Sequence, residues 1–128
     1  MVIAFDIDDT ITRHPPFFSF LTKALVEAGH QVVIITFRED RRMVSADLAR
    51  MGIVFTKLVT STTKDLLAAD PDKWKARVCK RMGVEVFFED MPEVLQHLGE
   101  SVVGMMPVNR DHRLDLLAAH RADEIEPL

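Results

Sequence analysis

The stretch Val2-Ile3-Ala4-Phe5-Asp6-Ile7-Asp8-Asp9-Thr10 joins a short apolar run to a cluster of carboxylates. An apolar run of this length, without polar alternation, is typical of a strand buried on both faces of a parallel sheet. Residues two apart on a strand point the same way, so Asp6 and Asp8 are expected to share one side of the strand end. Two like charges there need a cation, an arginine or a raised pKa. A magnesium ion fits best because it prefers hard oxygen ligands, and the alternative is a pair of solvated turn aspartates.

Further apolar runs follow along the chain, with helical patterns between them. They lie at residues 32–35, 84–88 and 102–105, and a more amphipathic run at 53–59 is expected to form an edge strand. Alternating strands and helices with short loops predict an α/β fold, a three-layer sandwich around a Rossmann-like parallel sheet of about five strands. We expect one domain over residues 1–128, with a frayed tail over 122–128.

Proline and glycine delimit the predicted helices. Pro15-Pro16 begins the first helix, Asp70 is expected to cap a later helix that ends at Gly83, and a last amphipathic helix is expected from about Arg110 to His120. Apolar residues at helical spacing mark the core-facing sides of the first two helices. These residues are Phe17, Phe20, Leu21, Ala24, Leu25 and Ala28 in the first helix, and Met43, Val44, Leu48 and Met51 in the second.

The composition describes an acidic chain with an ordinary core. Of its 128 residues 48% are hydrophobic, and the net charge is -4. This charge gives no strong nucleic-acid signal, since such binding usually depends on neutralising phosphates with basic residues. The single cysteine, Cys79, favours a reducing compartment, and we expect a cytoplasmic protein. We find no signal peptide and no apolar run near the roughly 18 residues that a membrane helix needs.

Polar residues follow two other predicted strands, at the edge where ligands bind in open parallel sheets. Thr36 comes after Val33-Ile34-Ile35 and offers a hydroxyl to a phosphoryl oxygen, or alternatively serves in a turn. Glu89-Asp90 comes after the run at 84–88 and is equally suited to a metal site or to capping the next helix. A cation for the substrate phosphate is expected from Lys75, near the buried side of its helix. Lys73 and Lys64 are the alternatives.

These motifs, in this order, resemble those of the haloacid dehalogenase (HAD) superfamily of phosphohydrolases, over about residues 1–100. The resemblance implies that Asp6 attacks phosphorus and forms an aspartyl-phosphate, while Asp8 serves as general acid and then base. Thr36 and Lys75 would hold the phosphoryl oxygens. Asp90 would bind Mg²⁺ together with the carboxylate of Asp6 and the main-chain carbonyl of Asp8.

The resemblance also suggests supporting residues around this site. Glu89 would orient waters on the metal, and Thr10 would brace the loop. Substrate contacts are expected from Ile7, Phe37 and Arg38, although Arg38 is equally suited to a surface ion pair with Glu39 or Asp40.

The intervals between the motifs are short. Neither Thr10 to Thr36 nor Thr36 to Lys75 is long enough to hold a separate cap domain with its own core. The sequence therefore predicts a small capless member with an open site. Such a site suits either a bulky phosphorylated substrate that covers it or a homo-oligomer in which a neighbouring subunit does so, although a small-molecule substrate fits the same chemistry.

Two other function classes share parts of this pattern. A catalytically silent HAD-like scaffold would keep the fold without turnover. A receiver domain also combines acids, a threonine and a lysine on a parallel sheet, but its phosphoacceptor follows the third strand, where this chain has Thr60-Ser61-Thr62-Thr63. Phosphotransferase activity is a variant of the phosphatase prediction that the residues do not separate from hydrolysis.

Overall fold

A computed structural model describes residues 1–125 and contains a five-stranded sheet. The strands are β1 (Val2–Phe5), β2 (Gln31–Thr36), β3 (Lys57–Thr60), β4 (Val86–Phe88) and β5 (Val103–Met105). Their order in the sheet is β3-β2-β1-β4-β5, and every neighbouring pair is parallel. The first strand therefore lies at the centre, and β3, formed at the end of the amphipathic run at 53–59, lies at an edge as predicted.

Helices cover both faces of the sheet, which confirms the predicted three-layer α/β sandwich. The helices are α1 (Pro15–Glu27), α2 (Arg41–Arg50), α3 (Thr63–Leu66), α4 (Asp72–Met82), α5 (Pro92–Leu95) and α6 (Arg110–Ile125). Residues of α1 and α2 pack with Ile3 and Phe5 on one face, and residues of α4 and α5 pack with Ala4 on the other.

The register of β1 places the end of this strand beside the end of β4. Phe5 is aligned with Phe88, so the next residues, Asp6 and Glu89, lie side by side at the carboxyl edge. Phe5 itself is fully buried, and complete burial of such a side chain contributes about 1.5–3 kcal/mol to folding. The apolar strand thus fixes the position of the acids that follow it.

The predicted core face of α1 is wrong in part. Phe18 and Thr22 are its buried residues, whereas Phe17 is 53% and Phe20 68% exposed. Phe18 packs edge-on against Phe5 and Phe88, with ring centroids 5.8 and 5.7 Å apart. This packing rotates the helix so that Phe17 and Phe20 face outward.

The other predicted helix faces and ends also differ locally from the structure. In α2, Met43 is 65% exposed although Val44 is buried as expected. Asp70 does not cap α4, because its carboxylate accepts from the side chain of Lys73 at 3.1 Å. Helix α6 extends past the predicted end at His120 to Ile125, and the remainder of the predicted tail, residues 126–128, lies outside the described residues.

The two edge strands differ from their predicted runs. All three residues of β5 are exposed because this strand lies at the border of the sheet, so the prediction that it is buried on both faces is wrong. At the opposite border, β3 begins only at Lys57. The preceding Thr56 donates its hydroxyl to the carbonyl of Val32 at 2.9 Å and accepts from the amide of Val32 at 3.0 Å.

The intervals between the motifs contain only elements of the sandwich. A single 3₁₀ turn (Ile11–Arg13), α1 and β2 lie between Thr10 and the end of β2, and α2, β3 and α3 lie between Thr36 and α4. No inserted domain is therefore present there. Across residues 1–125, every helix is too short or too polar to cross a membrane.

Candidate active site

Asp6 lies at the carboxyl end of the central strand and is held there by main-chain and side-chain bonds. Its amide donates to the carbonyl of Phe88 at 2.9 Å, which continues the ladder one residue beyond β1. The hydroxyl of Thr10 donates to Asp6 Oδ2 at 3.1 Å and lies 3.4 Å from Asp90 Oδ1. Asp6 is only 4% exposed. Thr10 therefore braces the loop as predicted and ties Asp6 to Asp90.

Lys75 projects from the first turn of α4 into this cluster. Its Nζ lies 2.7 Å from Asp6 Oδ1 and 2.7 Å from Glu89 Oε1, and it lies 4.4 Å from the centroid of the Phe37 ring. The lysine is 1% exposed. Lys73, by contrast, is exposed on the same helix, so of these two lysines Lys75 is the one that reaches Asp6. Lys64 is exposed on α3.

The acids form a cluster that could hold a metal ion. One carboxylate oxygen from each of Asp6, Glu89 and Asp90 lies within 4.8 Å of the other two. The donor set is oxygen only, which suits a hard cation such as Mg²⁺ or Ca²⁺. When ionised, the three acids carry two more charges than Lys75 neutralises, so a divalent cation would balance the cluster. Neither Glu89 nor Asp90 caps α5, whose N-terminal flanking residue is Met91.

The pKa values in this cluster follow from burial and from its crowded acids. Burial lowers the pKa of Lys75, but the charges of Asp6 and Glu89 outweigh it and raise this pKa above its ordinary value. Burial, and then the nearby charge of Asp6, raise the pKa of Glu89 despite the opposing charge of Lys75. Burial and a hydrogen bond with Asp6 raise the pKa of Asp90. A bound cation would oppose the rise for both acids, because it favours their charged forms.

Thr36 ends β2 with its side chain fully buried. Its hydroxyl oxygen accepts from the amide of Arg38 at 3.1 Å, and such a hydroxyl can still donate its own hydrogen to a ligand. Ser61, at the end of β3, donates its amide to the carbonyls of Thr36 and Arg38, both at 3.1 Å, and its hydroxyl to the carbonyl of Phe37. Ser61 was not among the predicted site residues. Its position just after a predicted strand, with a small hydroxyl side chain, was the sequence feature that indicated a contact at this edge of the sheet.

Arg38 pairs with the second acid of the first motif. Its Nε lies 3.0 Å from Asp8 Oδ2 and its Nη2 2.6 Å from Asp8 Oδ1, while Nη1 lies 2.9 Å from Asp47 Oδ2. Hydrogen bonding to Asp8 is the main cause that raises the pKa of Arg38. The expected alternative of a surface pair with Glu39 or Asp40 is wrong, because Asp40 instead caps α2 and the carboxylate of Glu39 accepts from Thr63.

The side chains of Ile7 and Phe37, two predicted substrate contacts, are taken up by packing, and the carboxylate of Asp8 is set apart from the other acids. The side chain of Ile7 is fully buried in the core beside α1, so only its main chain remains for a substrate contact. Phe37 packs against Trp74, with centroids 5.7 Å apart, and under Lys75. The carboxylate of Asp8 is exposed and lies outside the group of three acids that could hold a metal ion, while the metal contact expected from its main-chain carbonyl stays a prediction. The structure thus brings together Asp6, Lys75, Glu89 and Asp90, with Thr36 ending the neighbouring strand β2.

Comparison with known proteins supports the fold. A chain from the Pnkp1/Rnl/Hen1 RNA repair complex aligns over 83% of this chain and 42% of its own length, with a TM-score of 0.66 and 16% identity. A chain from another structure of the Pnkp1/Rnl/Hen1 complex aligns over 83% and 45%, with a TM-score of 0.63 and 17% identity. This chain thus spans less than half of either relative. No protein-family model and no curated protein matches the sequence.

Proposed function

We propose that this protein is a magnesium-dependent phosphatase of HAD type that hydrolyses a phosphate monoester through an aspartyl-phosphate on Asp6. The observation that carries the proposal is the position of Lys75 Nζ, 2.7 Å from both Asp6 and Glu89 in a buried cluster that also contains Asp90. A buried cation beside a buried carboxylate, at the ligand-binding edge of a parallel sheet, suits phosphoryl transfer.

The reaction consists of two displacements at phosphorus. An oxygen of Asp6 forms a bond to phosphorus while the bond to the leaving oxygen breaks, and Asp8 gives that oxygen a proton. Water then attacks the phosphoryl group, Asp8 takes its proton, and the bond between Asp6 and phosphorus breaks. Lys75 and the hydroxyl of Thr36 stabilise the charge on the phosphoryl oxygens.

The two hydrogen bonds from Arg38 to Asp8 support the role proposed for Asp8, because they hold its carboxylate in an exposed position. Asp8 must exchange protons with water and with the leaving group, which suits an exposed carboxylate better than a buried one. Arg38 holds Asp8 in one orientation, and its own side chain is partly accessible to solvent, with 31% of its surface exposed. A phosphate entering the site would give the guanidinium a third anionic partner beside Asp8 and Asp47.

Asp6, Glu89 and Asp90 would hold Mg²⁺. When bound, the ion supplies charge neutralisation for the phosphoryl group and for the crowded acids. The same acids would repel a phosphate dianion if the ion were removed, because Lys75 alone does not balance them. Oligomerisation or a bulky substrate, either of which would cover the open site, and a cytoplasmic location stay predictions.

The direct test is hydrolysis of 4-nitrophenyl phosphate by the purified protein. We expect turnover with Mg²⁺ and its loss in excess EDTA, with recovery when Mg²⁺ is restored. A panel of phosphate esters of different sizes separates small-substrate from bulky-substrate enzymes. If no ester of the panel is turned over while the protein is folded and binds Mg²⁺, the silent scaffold replaces the phosphatase.

A further inference from the structure

An apolar cavity of ≈ 370 Å³ opens at the carboxyl edge of the sheet on the side of α1. Its walls include Phe17 and Phe18 from α1, Phe88 from β4, and Met106 and Val108 from the segment after β5. A volume of this size falls within the range of small-ligand pockets. The cavity is independent of the acids that would hold the phosphate and the metal.

The cavity is joined to the candidate active site by adjacent residues. Phe88 directly precedes Glu89, and the carbonyl of Phe88 accepts a hydrogen bond from the amide of Asp6 at 2.9 Å. The amide of Glu89 in turn donates to the carbonyl of Met105, which lines the cavity. Strands in a sheet lie about 4.8 Å apart, so β5, which ends at the lining residue Met105, lies about 10 Å from the strand that precedes Asp6.

The lining favours a flat apolar group. The rings of Phe17, Phe18 and Phe88 form a chain of edge-on contacts, with centroids 5.1 Å apart for the first pair and 5.7 Å for the second. Met105 and Met106 also line the cavity, and thioethers pack well against aromatic rings. Among the described residues, His14 is the one polar side chain of the lining, and its Nε2 lies 3.1 Å from Asn109 Oδ1. Sugars and charged chains would lose hydration here with few polar partners in return.

We propose that this cavity binds the leaving group of the substrate. The substrate is a phosphate monoester of a planar apolar alcohol that has one aromatic ring or two fused rings. The proposal rests on the phosphatase function proposed above. It also gives a role to Phe17, which is 53% exposed on α1 and would be covered by such a ring. The leaving group would take over part of the shielding that the absent cap domain does not provide.

The test is a specificity ratio, kcat/KM for 2-naphthyl phosphate divided by kcat/KM for glycerol 2-phosphate. The better leaving group of the naphthyl ester raises this ratio in every variant, so the cavity is tested by the change in the ratio between variants. Phe17→Ala should lower the ratio about fivefold or more, and Val108→Trp should lower it further by filling the cavity. Phe20→Ala removes the same side chain from the same helix outside the cavity, and it should keep the wild-type ratio.

A second measurement separates failure of this inference from failure of the proposed function. Binding of 2-naphthol, which has no phosphate, is followed by NMR shifts in wild type, Phe17→Ala and Phe20→Ala. Binding weakened only by Phe17→Ala supports the cavity even if no ester is hydrolysed. Hydrolysis with an equal ratio in all variants overturns the inference and leaves the phosphatase standing. A dimer in size-exclusion chromatography that Phe17→Ala dissociates, with no change in ratio, assigns the cavity to a second copy and also overturns the inference.

Discussion

Asp6 and Asp8 are two residues apart at the end of one strand, yet they belong to different environments. Asp6 is 4% exposed and is bonded to Lys75 and Thr10, both of which are buried. The side chain of Asp8 is 59% exposed and is gripped by Arg38, which is itself partly exposed. We refer to Asp6, Lys75, Glu89 and Asp90 as the buried half of the site, and to Asp8, Arg38 and Asp47 as the exposed half.

The difference between the two environments suits the two roles proposed for this motif. In the buried half, the low dielectric makes each charge depend on a partner, so positions are fixed and removal of one group is costly. In the exposed half, water screens the charges, and an ion pair contributes little to stability. A nucleophile benefits from the first environment and a proton carrier from the second. Substitutions in the buried half and in the exposed half should therefore differ in their effects on stability and on rate.

The largest expected effect is at Asp6. Asp6→Asn removes the attacking oxygen while keeping the shape of the side chain, so kcat should fall by at least about 10⁴-fold and no phosphoenzyme should form. The measurement is steady-state hydrolysis together with trapping of acid-stable phosphate on the protein. Asp9→Asn, in the same loop but exposed and paired with Arg13, is the matched control and should remain active. Activity retained in Asp6→Asn would contradict the assignment of the nucleophile.

The second largest effect is expected at Lys75, where a substitution tests the buried half for both stability and rate. Lys75→Met keeps much of the volume but leaves two buried carboxylates without their cation, which should cost about 3 kcal/mol of unfolding free energy and about 10²-fold in kcat/KM. Urea unfolding and kinetics measure the two effects. Lys73→Met changes an exposed lysine two residues earlier on the same helix, and it should change the unfolding free energy and kcat/KM by little. Equal effects of the two substitutions would mean that Lys75 is not the cation of the site.

Most of the fold could be predicted because the central strands of the sheet are continuous apolar runs in the sequence. Val2 to Phe5 is apolar throughout, and its burial and central place agree with that pattern. The orientation of α1 could not be predicted, because Phe17, Phe18 and Phe20 are equally apolar and only contact with Phe5 decides which one turns inward. Similarly, β5 reads like a buried strand, but its place at the border exposes it.

The site shows the same limit. Helical spacing was enough to place Lys75 on the side of Cys79, and both are buried. The partner of Arg38 could not be predicted from spacing, because Glu39 and Asp40 are adjacent in sequence while Asp8 comes close only through the alignment of β1 with β2. Contacts set by neighbours in the sheet therefore need the structure.

Asp8 should matter for rate but not for stability. Asp8→Asn removes proton transfer and should slow turnover by about 10²–10³-fold, while unfolding free energy changes by less than about 0.5 kcal/mol because the carboxylate is exposed. A substrate with a good leaving group, such as 4-nitrophenyl phosphate, should lose less than an alkyl phosphate, since it needs less protonation. Equal losses for both substrates would place Asp8 outside the acid role.

The buried half should also make stability depend on pH and metal together. Glu89 and Asp90 have ordinary pKa values of 4.5 and 3.8 that are raised in the fold, so the folded protein keeps protons that the unfolded chain has lost. Stability of the metal-free protein contributed by these acids therefore falls as pH rises above those values. Mg²⁺ bound by these acids would displace the protons, so the rise in Tm on adding Mg²⁺ should grow by about 3 °C or more from pH 5 to pH 8. Glu89→Gln should flatten this trend, and a Mg²⁺ effect independent of pH would contradict it.

The smallest effect is expected from Arg38, and it tests whether the exposed half acts as a unit. Arg38→Ala should lower kcat/KM by about tenfold and unfolding free energy by about 0.2–1 kcal/mol, because its partners are half exposed. Arg38→Lys keeps the charge but not the two-bond fork to Asp8, so it should recover only part of the rate. Combining Arg38→Ala with Asp8→Asn should cost less than the product of the two separate losses if the guanidinium acts by holding Asp8. Fully multiplicative losses would mean that Arg38 contacts the phosphate on its own account.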